Sequence, residues 1–167
     1  MKAIYPGSFD PVTSGHLDIA ERAAIVFDEV VVAVAVNMEK QPLFSVEERV
    51  QLLREACGHL DNVQVDCFEG LTVDYAERQG AKVVIRSLRA VSDFESELQM
   101  ALMNKRLNDR VETLFMMTSA EYSFLSSSLV RQLAEFGAPL AGLVPGCVEE
   151  RLLAKLQEKR GQEAKSK

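Results

Sequence analysis

Val30–Val36 reads Val-Val-Val-Ala-Val-Ala-Val, a run that is apolar on both sides of the strand alternation. A strand of this kind has to be covered on both faces. That is the situation of a central strand in a parallel sheet with helices packed above and below it. The run is far too short for a membrane span, which takes about 20 residues. The remaining chain supplies the parts such a sheet needs, because apolar runs alternate with segments of helical period. Strands are expected at Lys2–Tyr5, Glu29–Val36, Val63–Phe68, Lys82–Arg86 and Glu112–Met117. Between and after them, helices are expected at His16–Phe27, from Ser45, at Val73–Gln79, from Ser92, at Ser126–Phe136 and at Pro145–Lys159.

Ser45 with Glu48, and Ser92 with Glu95, carry the spacing of a capping box, in which each side chain accepts from the other residue's backbone amide. In the helix after Ser92, Phe94, Leu98, Ala101 and Leu102 fall on one apolar face. Leu152, Leu153 and Leu156 form a stripe on the last helix that suits a subunit contact. With 167 residues the chain fits one domain of sizeable core. The expected fold is a single α/β domain over residues 1–160, a Rossmann-like doubly wound five-stranded parallel sheet, with a polar and irregular tail at 161–167.

The net charge of −6 argues against a nucleic-acid partner, which asks for a basic face, but leaves room for small anionic ligands held by a few placed cations. Cys57, Cys67 and Cys147 show no paired spacing, so free thiols are expected rather than a disulfide framework or a zinc site. Pro6-Gly7 interrupts the first apolar segment before the core of a signal peptide could form, and a cytoplasmic protein without membrane contact is expected.

In open parallel sheets, ligands bind beyond the carboxyl ends of the strands. Glycines, hydroxyls and cations gather at those ends here. The first strand is followed by Pro6 to His16, the second by Asn37 and Lys40, the fourth by Arg86-Ser87-Leu88-Arg89, and the fifth by Ser119 to Ser128. Neither a dinucleotide fingerprint nor a P-loop is present. Gly15 and His16 nevertheless open a helix, and Ser126 to Arg131 places hydroxyls and a cation at another helix start, both of which favour phosphate. Arg86 closes an apolar strand, where a charge needs a partner, and a phosphate would supply it. His59, near the scattered cysteines, reads as a surface or structural residue, and Met100, Met103, Met116 and Met117 as core or pocket packing.

Thr13-Ser14-Gly15-His16 is similar to the T/H-x-G-H signature of the nucleotidyltransferase superfamily, and Leu125-Ser126-Ser127-Ser128-Leu129-Val130-Arg131 resembles that superfamily's serine-rich segment. The wider pattern resembles the phosphopantetheine adenylyltransferase family, through the blocks at Tyr5–His16, Lys40–Phe44, Val84–Glu97, Met103-Asn104 and Tyr122–Arg131. The match keeps register from about Lys2 to Leu156.

That resemblance implies an adenylyl transfer from ATP to 4′-phosphopantetheine, and it implies residue roles. His16, Lys40 and Arg89 would be catalytic, with His16 stabilising the transition state at the α-phosphate. ATP would meet Ser8, Phe9, His16, Ser87, Leu88, Arg89, Glu97, Tyr122, Ser123, Phe124, Leu125, Ser126, Ser127 and Ser128. The acceptor would meet Ser8, Lys40, Thr72 and Arg86. Mg²⁺ would arrive with ATP, since no dedicated protein metal site is suggested. The resemblance also implies a homohexamer and feedback inhibition by coenzyme A. The family often has Thr at Ser8, Gly at Ser87 and Tyr at Ser96. Two readings compete with this one: a sibling nucleotidyltransferase with another acceptor, and a non-catalytic nucleotide or coenzyme A sensor.

Overall fold

A computed structural model describes residues 1–36, 42–89 and 91–165 of the chain, the backbone alone at 91–93 and 162–165. The elements run β1 (Lys2–Gly7), α1 (Ser14–Val26), β2 (Glu29–Ala35), α2 (Val46–Ala56), β3 (Val63–Phe68), α3 (Thr72–Arg78), β4 (Val83–Leu88), α4 (Val91–Leu107), β5 (Glu112–Met117), a 3-10 turn (Ala120–Tyr122), α5 (Ser127–Glu135) and α6 (Gly146–Lys165). All five strands pair in parallel in the order β3-β2-β1-β4-β5, with Ile4 opposite Val31 on one side and Val84 on the other. The expected fold is thus the observed one.

The two-faced apolar character of β2 is used as physics requires. Val30, Val32 and Val34 pack with Ala3, Tyr5 and Ile85 under α1, α2, α5 and α6, through residues such as Ile19, Leu52, Val130 and Leu152. Val31 and Ala33 face the other way and pack with Ile4 and Val84 against Val73, Tyr75 and Ala76 of α3. Ser45 caps α2 as its spacing predicts: Glu48 N–H donates to Ser45 Oγ (3.2 Å), and Ser45 N–H donates to Glu48 Oε2 (2.7 Å). Caps of this kind are worth about 1 kcal/mol.

Several elements differ from their sequence reading. The first strand runs on to Gly7, and β4 runs to Leu88, so Ser87 and Leu88 are strand residues. Helix α4 starts at Val91, which puts Ser92 inside the helix rather than at its cap. The apolar face of α4 is not covered by its own sheet: Phe94, Leu98 and Leu102 are exposed, as are Met100, Met103 and Met117. An edge helix beside β4 and β5 has less sheet to lie on than one over β1. Leu152 and Leu156 are buried in the chain's own core, so these two members of the α6 stripe serve the fold, while Leu153 is exposed. Helix α6 continues to Lys165, where an irregular tail is expected, because Gln162, Glu163, Ala164 and Lys165 are strong helix formers and Gly161 costs only about 1 kcal/mol. The three cysteines are free, with Cys57 buried and Cys67 exposed.

Candidate active site

A cavity of about 410 Å³ opens at the carboxyl ends of β1 and β4. Strand β1 lies at the middle of the sheet, with β2 on one side and β4 on the other, so this crevice is the switch point where doubly wound sheets bind ligands. Its wall contains Ser8, Phe9, His16, Arg86, Ser87, Arg89, Glu97, Leu125, Ser126, Ser127 and Ser128. Residues from three separate sequence blocks, those after β1, β4 and β5, therefore converge as their positions after the strands suggest.

The loop after β1 is held from several sides. Phe9 has a left-handed backbone (φ 48°), which is uncommon for a bulky residue and persists only where surroundings enforce it. Its ring meets Tyr5 edge-on (centroids 5.5 Å) and His16 edge-on (5.0 Å), and a Cβ on Gly7 would stand 2.8 Å from Phe9 Cζ. Glycine at 7 is what lets the ring lie there. Behind the loop, buried Arg49 donates from Nη1 to the Ser8 carbonyl (2.9 Å). Buried Asp10 accepts from the amides of Leu43 and Phe44 (2.9 Å each) and pairs with Arg131 (3.3 Å). Arg131 Nη1 also donates to the Asp10 carbonyl. The cation of the serine-rich segment is thereby engaged by the first loop.

His16 sits at the third position of α1. Thr13 caps this helix: its Oγ1 accepts from His16 N–H (3.3 Å), while Thr13 N–H donates to His16 Nδ1 (3.0 Å). A neutral imidazole with an occupied Nδ1 acceptor carries its proton on Nε2. Burial, and secondly the nearby Arg89 guanidinium, lower the His16 pKa from 6.5 to about 4. At neutral pH the ring is uncharged, and Nε2–H is its one donor.

Arg86 is not an open cation. Its Nε and Nη2 donate to the two oxygens of Glu97 (2.6 Å each), and Nη1 donates to the Pro6 carbonyl (3.2 Å). The fork-to-carboxylate geometry supplies the partner that an arginine ending an apolar strand needs. Arg89 donates from Nη1 to the Leu125 carbonyl (3.2 Å), tying β4 to the segment before α5. There, Ser126 is the N-cap, accepting from Leu129 N–H (3.1 Å), and Ser127 Oγ donates to the Pro11 carbonyl (2.7 Å). Asp18 accepts from Ser119 N–H (3.3 Å) and Oγ (2.8 Å), fastening the end of β5 to α1.

Not every expected residue reaches the wall. Leu88 is buried in β4, and its carbonyl accepts from Thr118 N–H (3.0 Å) and Oγ1 (3.1 Å). Tyr122, Ser123 and Phe124 lie on and after the 3-10 turn outside the wall, with Phe124 61% exposed. Thr72 opens α3 and is also outside it. Lys40 lies outside the described residues. The wall includes Tyr5, Thr13, Ser96 and Thr118, which the sequence reading did not assign to it. Thr13 carried a usable signal as the residue before a helix start.

The sequence profile of the cytidylyltransferase-like family matches residues 4–133, which spans every wall residue. A phosphopantetheine adenylyltransferase of Heliobacterium modesticaldum is 53% identical over 165 residues, covering 99% of this chain and 96% of that one. Another, of Carboxydothermus hydrogenoformans, is 56% identical over 156 residues, covering 93% and 96%. The chain belongs to the phosphopantetheine adenylyltransferase family. Family membership makes it a nucleotidyltransferase. A solved structure from Vibrio parahaemolyticus, assigned as a nicotinate-nucleotide adenylyltransferase, shares the fold with a TM-score of 0.69 at 16% identity, covering 91% of this chain and 97% of that one. No helix among the described residues is long and apolar enough to cross a membrane.

Proposed function

We propose that the chain transfers the adenylyl group of ATP to 4′-phosphopantetheine, giving dephospho-coenzyme A and pyrophosphate by direct in-line displacement. The observation that carries the mechanism is His16: a neutral ring, fixed by Thr13, with Nε2–H as its donor. Such a donor stabilises charge as it builds on the α-phosphate oxygens and needs no proton transfer. The acceptor needs no general base, because a phosphate monoester with a second pKa of about 6 is already largely dianionic at neutral pH. Attack by one of its oxygens forms the new P–O bond as the bond to pyrophosphate breaks, with no covalent enzyme intermediate. Ser8, Lys40 and Arg86 bind the acceptor phosphate and Thr72 the pantetheine arm. Arg89, Ser87, Glu97 and the segment from Tyr122 to Ser128 serve ATP.

Mg²⁺ enters as part of the ATP substrate. Among the described residues, Glu97 in the wall is engaged by Arg86, and behind it Asp10 is engaged by amides and Arg131 and Asp18 by Ser119 and Arg22. Coenzyme A carries the same adenylyl and pantetheine groups as the dephospho-coenzyme A product, and on this reading it competes for the same cavity as a feedback inhibitor.

Pyrophosphate release from ATP, measured against a panel of acceptors, tests the reading. Release with 4′-phosphopantetheine far above that with nicotinate nucleotide or glycerol phosphate is expected. Equal or better use of either of those would make the chain a sibling enzyme, and ATP binding with no release would make it a sensor. His16→Ala is expected to lower kcat by roughly 10²–10³-fold with a much smaller change in ATP affinity.

A further inference from the structure

Tyr5 lies at the floor of the cavity with 2% of its surface exposed. Among the described residues its hydroxyl is the buried side-chain polar atom left without a hydrogen-bond partner. The Ser87 hydroxyl exerts the largest polar influence on it, ahead of the Arg86 and Arg89 guanidinium groups, but the contact does not close as a hydrogen bond. A buried donor in that state destabilises the free protein, and phenylalanine would fill the same space without the penalty. The ring itself is well used, packed edge-on against Phe9. Only the oxygen is unexplained by the fold.

We propose that the Tyr5 hydroxyl is a donor held for a phosphoryl oxygen of the acceptor, closing the floor of the subsite that Ser8 and Arg86 flank. This rests on the function proposed above and adds a residue to it. Burial raises the Tyr5 pKa well above its ordinary value, so the group stays protonated and donates throughout the working pH range. Arg86 and Arg89 both act electrostatically on this hydroxyl, and an incoming phosphate would compete with Glu97 for Arg86. Arg86, assigned above to the acceptor phosphate, donates to the carbonyl of Pro6, the residue after Tyr5 (3.2 Å), and both side chains line the same cavity. In the complex, the donor gains the acceptor that the free protein lacks.

Tyr5→Phe tests this through two readouts that a structural hydroxyl would move in the opposite sense. The melting temperature of the ligand-free protein is expected to equal or exceed that of wild type. The Kd for 4′-phosphopantetheine by calorimetry is expected to rise about 10- to 100-fold, the range for a lost hydrogen bond to a charged group, with a smaller change for ATP. A lower melting temperature with unchanged Kd would mean the hydroxyl is satisfied inside the fold and would overturn the proposal. A larger loss for ATP than for the acceptor would overturn it as well. Absence of 4′-phosphopantetheine binding by wild type would instead refute the proposed function, so the two failures are distinguishable.

Discussion

The state of His16 can be tested without any substrate. Its folded pKa of about 4 lies below the ordinary 6.5 because burial, and then Arg89, disfavour the charged ring. Between those two values the unfolded chain binds a proton that the folded chain refuses. Stability contributed by the neutral ring is therefore complete above about pH 7 and is lost as pH falls toward 4. At ~1.4 kcal/mol per pKa unit, the loss is on the order of 3 kcal/mol. Urea unfolding of wild type and His16→Gln across pH 4–8 should show this as a difference in slope, with wild type losing more on acidification. Nitrogen NMR of the ring gives the same information directly and also reports the tautomer. The chain holds two histidines, and His59 stands exposed beside Glu21, so His59→Gln assigns the signals. Titration of His16 at or above 6.5, or a proton on Nδ1, would refute both the burial argument and the role of the Thr13 amide.

Arg86→Ala should raise the KM for 4′-phosphopantetheine by about tenfold or more while changing that for ATP less, because it removes a cation and strands Glu97 in the cavity. Adding Glu97→Gln should recover part of the loss, and steady-state kinetics with each substrate varied measures both. Asp10→Ala removes the acceptor for the buried Phe44 amide, the half-buried Leu43 amide and Arg131, and should lower stability by about 2–4 kcal/mol in urea unfolding. We propose that the exposed face of Phe94, Leu98 and Leu102 is a subunit contact; light scattering should return the six chain masses that the family resemblance implies, with a smaller mass for Leu102→Glu.

Local chemistry was legible in the sequence where near neighbours of the usual residue types decide it, although the Ser92–Glu95 spacing failed because α4 starts at Val91. The Ser45–Glu48 cap and the both-faced run at Val30 could be read because a few residues decide them. The Thr13–His16 cap has the same three-residue spacing but escaped notice, since histidine is not the usual partner in that motif. Arg86 was rightly seen to need a partner, but Glu97 on the following helix was not readable as the group that takes it. Their meeting depends on where α4 crosses β4, which no local pattern specifies. The same holds for α4's apolar face: its period predicts the stripe, whereas coverage depends on its place at the edge of the sheet. Asp10, Arg49 and Asp18 act from behind the site through backbone groups, and their side-chain types alone give no hint of it.

The packing of the first loop limits how this protein could be re-engineered. A methyl group at residue 7 would collide with the Phe9 ring, and shortening that ring would remove the wall against which His16 rests. A Cβ at Gly15 would press on Tyr122 Cβ at 3.3 Å, so the next glycine is bound to the β5–α5 segment in the same way. Single exchanges at these positions should therefore show strong epistasis, each harmful alone and tolerable only with its neighbours changed too. An attempt to graft a different acceptor preference would have to transplant residues 5–16 as one cassette, together with the segment around Tyr122.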